Sequence, residues 1–200
     1  MSFRRLSLLA AALLIAATVA VSSARAQSGV VADFSLRGSD NAPVALSSFA
    51  GKKAVVVVFV NGSCPFSKLY ESRLQALAGQ YAGQGVQFLF VNAPINLEQA
   101  PAAAGADKIK VKAETANLSQ YTDEGQKAAT LLGVSKTPEA VVLLPASGGF
   151  SLRYRGAIDD NPQVESYVKE RYLQVALDAA LAGKSTGLVE KRASGCLIKK

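Results

Sequence analysis

Two apolar runs separated by a helical pattern organise the first half of the chain. Ala54–Val60 and Val86–Val91 are dominated by β-branched and aromatic residues, a composition typical of strands buried on both faces of a sheet. Between them, apolar side chains recur at i, i+4, i+7 and i+11, the spacing of one helix face: Tyr70, Leu74, Leu77 and Tyr81. The pattern predicts a strand, an amphipathic helix and a second strand.

The remaining elements are read from shorter patterns. Turn residues, apolar runs and helical spacing predict a strand over Val31–Leu36, a helix near 96–106, a short strand near 117–121, a helix over Glu124–Leu132 that stops at Gly133, a hairpin of Ala140–Leu144 and Phe150–Tyr154 around Ser147–Gly149, and a last helix over Pro162–Leu181. This order indicates an α/β fold whose central sheet has parallel and antiparallel parts and is flanked by helices.

The first 26 residues have the pattern of a secretory signal peptide. Arg4 and Arg5 precede an apolar run from Leu6 to Val21, and Ala24-Arg25-Ala26 provides small residues before a cut. The run is short for a membrane-spanning helix. We therefore expect cleavage after Ala26 and a periplasmic or secreted protein, with a signal peptide over 1–26, one domain over 27–183 and a tail over 184–200 that carries Cys196.

Charge and residue usage exclude several classes of function. Three of the positive charges that give the formal net charge of +7 belong to the leader, and the others are spread along the chain. The sequence therefore predicts no nucleic-acid partner and no stable insertion into a membrane. The chain has no histidine, which excludes Ser-His-Asp and Cys-His sites and makes a zinc or haem centre improbable. No cofactor and no metal site are expected.

Cys64 and Cys196 are the two cysteines. Cys64 follows the turn Asn61-Gly62-Ser63 at the end of a predicted strand, and Pro65 suits the first turn of the predicted helix. The positive end of a helix favours a thiolate over a thiol, which is what nucleophilic redox chemistry needs. The alternative is an inert, buried core cysteine, and the polar turn before Cys64 argues against deep burial.

Thr137-Pro138 lies between the helix that ends at Gly133 and the strand that begins near Ala140. A proline just before a strand is a candidate for a cis peptide bond in a tight turn.

Four segments, in this order, resemble the thioredoxin superfamily, and in particular its peroxiredoxin-like or redoxin branch. Cys64–Leu74 reads Cys-Pro-Phe-Ser-Lys-Leu-Tyr-Glu-Ser-Arg-Leu, and Thr137-Pro138 follows before a later strand. Tyr154–Asp160 is similar to a Tyr-Arg-Gly-x-(Ile/Leu)-Asp-Asp segment of that branch, and Gly195–Lys199 to its closing Gly-Cys-x-Ile-Lys. The resemblance covers about residues 30–199.

The resemblance implies a thioredoxin-like fold with a cis-proline loop. It implies that Pro138 packs beside Cys64, and that a substrate strand pairs with the backbone just before Pro138. Cys64 is then the catalytic residue, Cys196 a possible resolving thiol, and Pro65, Thr137 and Pro138 are substrate-binding residues. Whether Cys196 pairs with Cys64 or is an idle tail thiol stays open at this point, because the tail would have to fold back over the strand ends.

The chain also departs from its relatives. Ser67 replaces the second cysteine of the Cys-x-x-Cys motif, Asn61 stands where peroxiredoxins carry threonine, and Ser63 replaces a histidine common in the branch.

A salt bridge is also expected outside the site. Arg155 is expected to pair with Asp159 or Asp160 and so to fix the hairpin to the last helix.

Two hypotheses remain. The first is an exported thiol-dependent oxidoreductase, in which Cys64 attacks a disulfide or a peroxide and the partner is a thiol/disulfide redox partner or a protein substrate. The second is a non-catalytic binding or scaffold module on the same fold, motivated by the missing second cysteine and histidine. A copper or metallochaperone role ranks below both, because the chain has no histidine.

Overall fold

The computed structural model describes residues 30–96, 118–187 and 189–200. Within these ranges the main sheet has nine strands, in the spatial order β1-β9-β8-β4-β5-β6-β2-β3, with β10 also paired to β9. The strands are β1 (Val30–Val31), β2 (Ser35–Arg37), β3 (Pro43–Ala45), β4 (Ala54–Val60), β5 (Val86–Asn92), β6 (Leu118–Thr122), β8 (Glu139–Ala146), β9 (Gly149–Gly156) and β10 (Glu190–Lys191). A separate two-stranded sheet pairs β7 (Lys136–Thr137) with β11 (Cys196–Leu197).

The predicted central strands are confirmed. β4 runs parallel to β5 and antiparallel to β8, and β5 runs parallel to β6. All seven residues of β4 are buried, as the uninterrupted apolar run predicts for a strand covered on both faces. The carboxyl end of this strand, where Cys64 follows, therefore lies in the middle of the sheet.

Helices cover both faces of the sheet. One face packs against α1 (Pro65–Tyr81) and α3 (Tyr172–Leu181), and the other packs against α2 (Lys127–Leu132) and the segments around β2. The predicted stripe of α1 is confirmed, since Tyr70, Leu74 and Tyr81 are buried and Leu77 packs against the same cluster. Within the described ranges, no helix has both the length and the apolar character that a membrane span requires.

Some predicted elements differ in extent. The strand expected over Val31–Leu36 is split into β1 and β2, which pair with different neighbours at opposite ends of the sheet order. The helix expected from Glu124 is α-helical only from Lys127, because Gly125 and Gln126 have positive φ values of 67° and 54°. The helix expected near 96–106 lies outside the described residues apart from its first position.

The last helix begins ten residues later than predicted. In place of helical hydrogen bonds, the side chain of Asn161 accepts from the N–H groups of Gln163 and Val164. The side chain of Asp160 accepts from those of Lys169 and Glu170. Asp and Asn side chains that satisfy nearby N–H groups in this way compete with α-helix formation. The segment therefore forms turns and a short 3-10 helix over Glu165–Tyr167, and α3 starts only at Tyr172.

Tyr154, in β9, makes the stability of the fold sensitive to alkaline pH. Its side chain is fully buried and its hydroxyl donates to the carbonyl oxygen of Ala157. Burial raises the pKa of this phenol well above its ordinary value, so the unfolded chain releases this proton first. The contribution is fully present below about pH 10 and is lost as the pH rises further.

We expect the free energy of unfolding of the wild type to fall as the pH rises above about 10, and to fall less steeply in a Tyr154→Phe variant. Urea unfolding of both proteins at several pH values measures the difference. Equal pH dependence in the two proteins would show that Tyr154 titrates alike in the folded and unfolded states.

Candidate functional site

Cys64 lies between the end of β4 and the start of α1. The Asn61 side chain shapes the turn before it, because its amide nitrogen donates to the Ala93 carbonyl at 2.8 Å and its oxygen accepts from the Ser63 N–H at 2.8 Å. Cys64 is the N-cap of α1, and its carbonyl accepts the first helical bond from Lys68 at 3.1 Å. The sulfur is therefore carried at the positive end of a 17-residue helix.

The Thr137–Pro138 peptide bond is cis, and it lies beside Cys64 as the resemblance implies. The Sγ atom of Cys64 is 3.1 Å from the carbonyl oxygen of Thr137. Glu139 fixes this loop, because its buried carboxylate accepts hydrogen bonds from the N–H groups of Ser135 and Lys136 at 3.0 and 3.1 Å. Both Thr137 and Pro138 are buried.

Cys196 is bonded to Cys64. The two residues form a disulfide across 132 positions of sequence, with their Cα atoms 6.0 Å apart. The tail therefore does fold back over the strand ends, and the reading of Cys196 as an idle thiol does not apply to this structure.

The tail reaches Cys64 by first joining the main sheet. β10 runs parallel to β9, and the N–H groups of Arg155 and Ala157 donate to the carbonyl oxygens of Val189 and Lys191 at 2.9 and 3.0 Å. Arg155 also forms a 2.7 Å ion pair with Glu190. The expected pairing of Arg155 with Asp159 or Asp160 is wrong, because the tail supplies the acidic partner.

The tail then crosses the site as β11. This strand pairs antiparallel with β7, with Cys196 opposite Thr137, and the Ile198 N–H donates to Ser135 at 3.0 Å. Its other edge meets the segment after β5, where Asn96 donates to the Leu197 carbonyl at 3.2 Å and Lys199 donates to the Pro94 carbonyl at 2.8 Å. β11 is thus hydrogen-bonded on both sides.

The expectation that Cys64 avoids deep burial is wrong for the disulfide form. Its exposed fraction is 0% and that of Cys196 is 8%. Ile95 is buried in the same small cluster and Phe66 packs against it. The polar turn does place Cys64 at the rim of the sheet. The tail covers Cys64 there, and the sequence had left the position of the tail open.

Asp159 forms the buried polar centre of the neighbouring face. It accepts from the Tyr70 hydroxyl at 2.5 Å and from the Arg73 guanidinium at 2.9 Å, and the N–H of Asn161 donates to it at 3.0 Å. Burial, followed by the hydrogen bond to Asp159, raises the pKa of Tyr70 far above its ordinary value. The cluster ties the helix that begins at Cys64 to the segment after β9.

The sequence analysis gave no individual role to two residues of the site. Glu139 follows Pro138 directly, and an acid at the head of an apolar strand is the signal that could have identified it. Gly195 precedes Cys196, and a Cβ atom at this position would lie 2.2 Å from the Thr137 carbonyl oxygen. By contrast, the predicted site residue Pro65 is at the first position of α1 and is exposed.

No group of three or more His, Cys, Asp or Glu residues within the described ranges is arranged to hold a metal ion. The groups that meet at the site are the two sulfur atoms of Cys64 and Cys196 and the backbone around Thr137.

Known structures with the same architecture fall into two tiers of similarity. A hypothetical protein from Sinorhizobium meliloti 1021 is 29% identical with a TM-score of 0.71, the match covering 85% of this chain and 92% of that one. An uncharacterised conserved protein from Geobacillus kaustophilus is 28% identical with a TM-score of 0.71, over 86% and 90%. A putative thiol:disulfide interchange protein DsbE from Chlorobium tepidum is 18% identical with a TM-score of 0.54, over 76% and 95%, a likeness of fold alone.

No curated protein matches the chain significantly. The thioredoxin-like fold, with a cysteine pair at disulfide distance, supports a thiol oxidoreductase in general. The sequence profile of the AhpC/TSA family matches residues 29–166, more than half of the chain, and it includes Cys64 and Pro138. The expected membership of the redoxin branch is thereby confirmed, and this protein belongs to the AhpC/TSA family.

Proposed function

We propose that this protein is an exported thiol-dependent oxidoreductase in which Cys64 is the attacking thiol and Cys196 the resolving thiol. The observation that carries the proposal is the disulfide between the N-cap of α1 and the tail, formed against the cis-Pro138 loop. A helix N-terminus stabilises a thiolate, and a second thiol within bonding range supplies the resolving step that the absent Cys-x-x-Cys motif would otherwise provide.

The reaction with a disulfide substrate proceeds in two exchanges. The Cys64 thiolate attacks one substrate sulfur, the substrate S–S bond breaks, and the other substrate sulfur leaves as a thiolate. The Cys196 thiolate then attacks the Cys64 sulfur and releases the second substrate thiol. The substrate gains two electrons and the protein ends in the disulfide form seen here, which an external dithiol returns to two thiols.

The structure favours a disulfide over a peroxide as the substrate. Classical peroxiredoxins carry a threonine at the position of Asn61, and here the amide of Asn61 is engaged with Ala93 and Ser63. The loop before Pro138, in contrast, pairs with an extended strand in the manner of β-augmentation. We therefore assign a protein or peptide disulfide as the substrate class.

Export and domain division complete the proposal. The leader over 1–26 would be cleaved after Ala26, the domain over 27–183 would carry Cys64, and the tail over 184–200 would carry Cys196. The support is the charge and hydropathy pattern of the leader, together with the Cys64–Cys196 disulfide, since disulfides persist in oxidising compartments.

Insulin reduction and peroxide consumption by the wild type, Cys64→Ser and Cys196→Ser test the assignment. Cys64→Ser is expected to abolish thiol-dependent turnover. Cys196→Ser is expected to retain the first exchange and to accumulate a mixed disulfide at Cys64, detectable by mass, because its resolving thiol is missing.

Ser147→Ala is the matched control. Ser147 is exposed in the turn between β8 and β9, at the end of β8 that lies away from Pro138, and it has no part in the proposed chemistry, so wild-type rates are expected. Insulin and peroxide activities unchanged in Cys64→Ser would contradict the proposal and favour the binding or scaffold module.

A further inference from the structure

We propose that the groove occupied by β11 is the docking site for an extended segment of the partner protein, one that carries a cysteine directly after a glycine and an aliphatic residue two positions after the cysteine. The inference rests on the proposed function, since it names the substrate segment that Cys64 would attack. It is argued from the way the tail of this chain fills the groove.

The backbone of the groove selects an extended strand. On one side Ser135–Thr137 pairs with β11, and on the other side Pro94–Asn96 exchanges hydrogen bonds with Leu197 and Lys199. A segment lying between two unpaired backbone edges gains main-chain bonds at alternate positions on each side. When the tail leaves, water reaches these groups, and an extended peptide in the same place can form the same main-chain hydrogen bonds that the tail formed.

The position before the cysteine admits only glycine without rearrangement. A Cβ atom built on Gly195 would lie 2.2 Å from the carbonyl oxygen and 2.7 Å from the carbonyl carbon of Thr137. Both atoms belong to the backbone next to the cis-Pro138 bond, and Glu139 holds that loop through Ser135 and Lys136. The close approach of Gly195 is what places the next residue's sulfur against Cys64.

The two positions after the cysteine differ in what they require. The side chain of Leu197 is 55% exposed, so the groove does not select its identity, whereas Ile198 is 6% exposed and belongs to the apolar cluster of that face. Burying an aliphatic side chain of this size favours binding by about tenfold or more over leaving the site to a small polar residue. The groove therefore recognises Gly-Cys-x-aliphatic.

A partner segment must compete with the tail for the groove. In the disulfide form the tail occupies it covalently, and reduction of that bond frees the tail. The partner cysteine, itself in a disulfide, would then take the place of Cys196, so that the attack of Cys64 breaks the partner S–S bond and forms a mixed disulfide. Resolution by Cys196 restores the tail to the groove and expels the partner as a thiol.

Exchange with synthetic peptides tests this selectivity on the full chain bearing Cys196→Ser. The probe is Ser-Gly-Cys-Leu-Ile-Lys with its cysteine carried as a mixed disulfide with thionitrobenzoate, and Cys64 displaces the coloured thiolate. Two matched probes replace the glycine by valine and the isoleucine by serine, and a fourth carries the same group on free cysteine. Each rate is divided by the rate of the same probe with glutathione, which corrects for the intrinsic reactivity of the probe's disulfide. Residual competition by the tail lowers the rates of all three peptides equally.

We expect the glycine-isoleucine peptide to react about tenfold or more faster than either matched peptide. Equal normalised rates for all four probes would overturn the docking inference and leave the proposed function standing. Failure of every probe to react faster with this chain than with its Cys64→Ser derivative would overturn both. The outcomes of the two proposals are thus distinguishable in one experiment.

A second measurement uses the tail of the wild-type chain as the ligand. Gly195→Ala introduces the clash at Thr137, whereas Gly51→Ala introduces a Cβ atom that meets nothing within 4 Å. In glutathione buffers, we expect Gly195→Ala to shift the equilibrium between the dithiol and the disulfide about tenfold or more toward the dithiol, with Gly51→Ala unchanged. Equal equilibria in the two variants would show that the groove tolerates a side chain before the cysteine, against the inference.

Discussion

Reduction of the Cys64–Cys196 disulfide is expected to lower the free energy of unfolding by about 3–5 kcal/mol. The bond closes a loop spanning 132 positions of sequence, and cross-links over loops of this size remove a large part of the conformational entropy of the unfolded chain. The native contacts of β10 with β9 do not depend on the bond. We therefore expect the lower free energy of unfolding to appear as a shift of one unfolding transition. The tail strand β11 is expected to be the first part of the chain that is released.

Urea unfolding of the wild type with and without a phosphine reductant measures the effect. The chain has six tyrosines and no tryptophan, so far-ultraviolet circular dichroism is the suitable signal. The matched control is Cys196→Ser, which should unfold like the reduced wild type and should not respond to the reductant. Coincident curves for the oxidised and reduced wild type would contradict the prediction.

The second large effect is expected from Asp159→Ala, which should destabilise the fold by about 3–5 kcal/mol. The side chains of Arg73 and Asp159 are 6% and 3% exposed, so removing the carboxylate leaves a guanidinium buried without its closest anion. Glu165 lies 3.7 Å away, is more than half exposed and offers only partial compensation. The Tyr70 hydroxyl loses its acceptor in the same change.

Glu124→Ala is the matched control for a lost acidic partner. Glu124 pairs with Arg37 at 3.0 Å, but the two side chains are 70% and 37% exposed, and surface pairs contribute at most about 1 kcal/mol. Thermal or urea unfolding of both variants compares the two sites. A loss of under about 1 kcal/mol in Asp159→Ala would mean that the cluster does not hold α1 against the segment after β9.

Because α1 begins at Cys64, the Asp159 cluster also bears on the site. The ring of Tyr70 lies 4.7 Å from the Arg73 guanidinium carbon, so the two residues form one unit on the buried face of the helix. Loosening that face lets the helix N-terminus move relative to the Pro138 loop, which is anchored independently through Glu139.

Features that depend on a few consecutive residues could be predicted from the amino-acid sequence. The uninterrupted apolar run of β4 requires a strand covered on both faces, and the spacing of Tyr70, Leu74 and Tyr81 requires a helix with one buried side. The turn before Cys64 and the proline after it place the sulfur at the start of that helix. Pro138, ahead of the apolar run of β8, marked the cis peptide bond.

The segment that covers Cys64, and the partners of the charged side chains, became known only from the folded structure. Local pattern carries no information on contacts across 132 positions, since these depend on which backbone edges the sheet leaves unpaired. The edges at Ser135–Thr137 and Pro94–Asn96 have N–H and C=O groups that β11 satisfies, and this draws Cys196 to Cys64. For the same reason Arg155 pairs with Glu190 of the incoming tail, and the buried Asp159 pairs with Arg73. Each charge takes the partner that the packing of distant segments brings within reach.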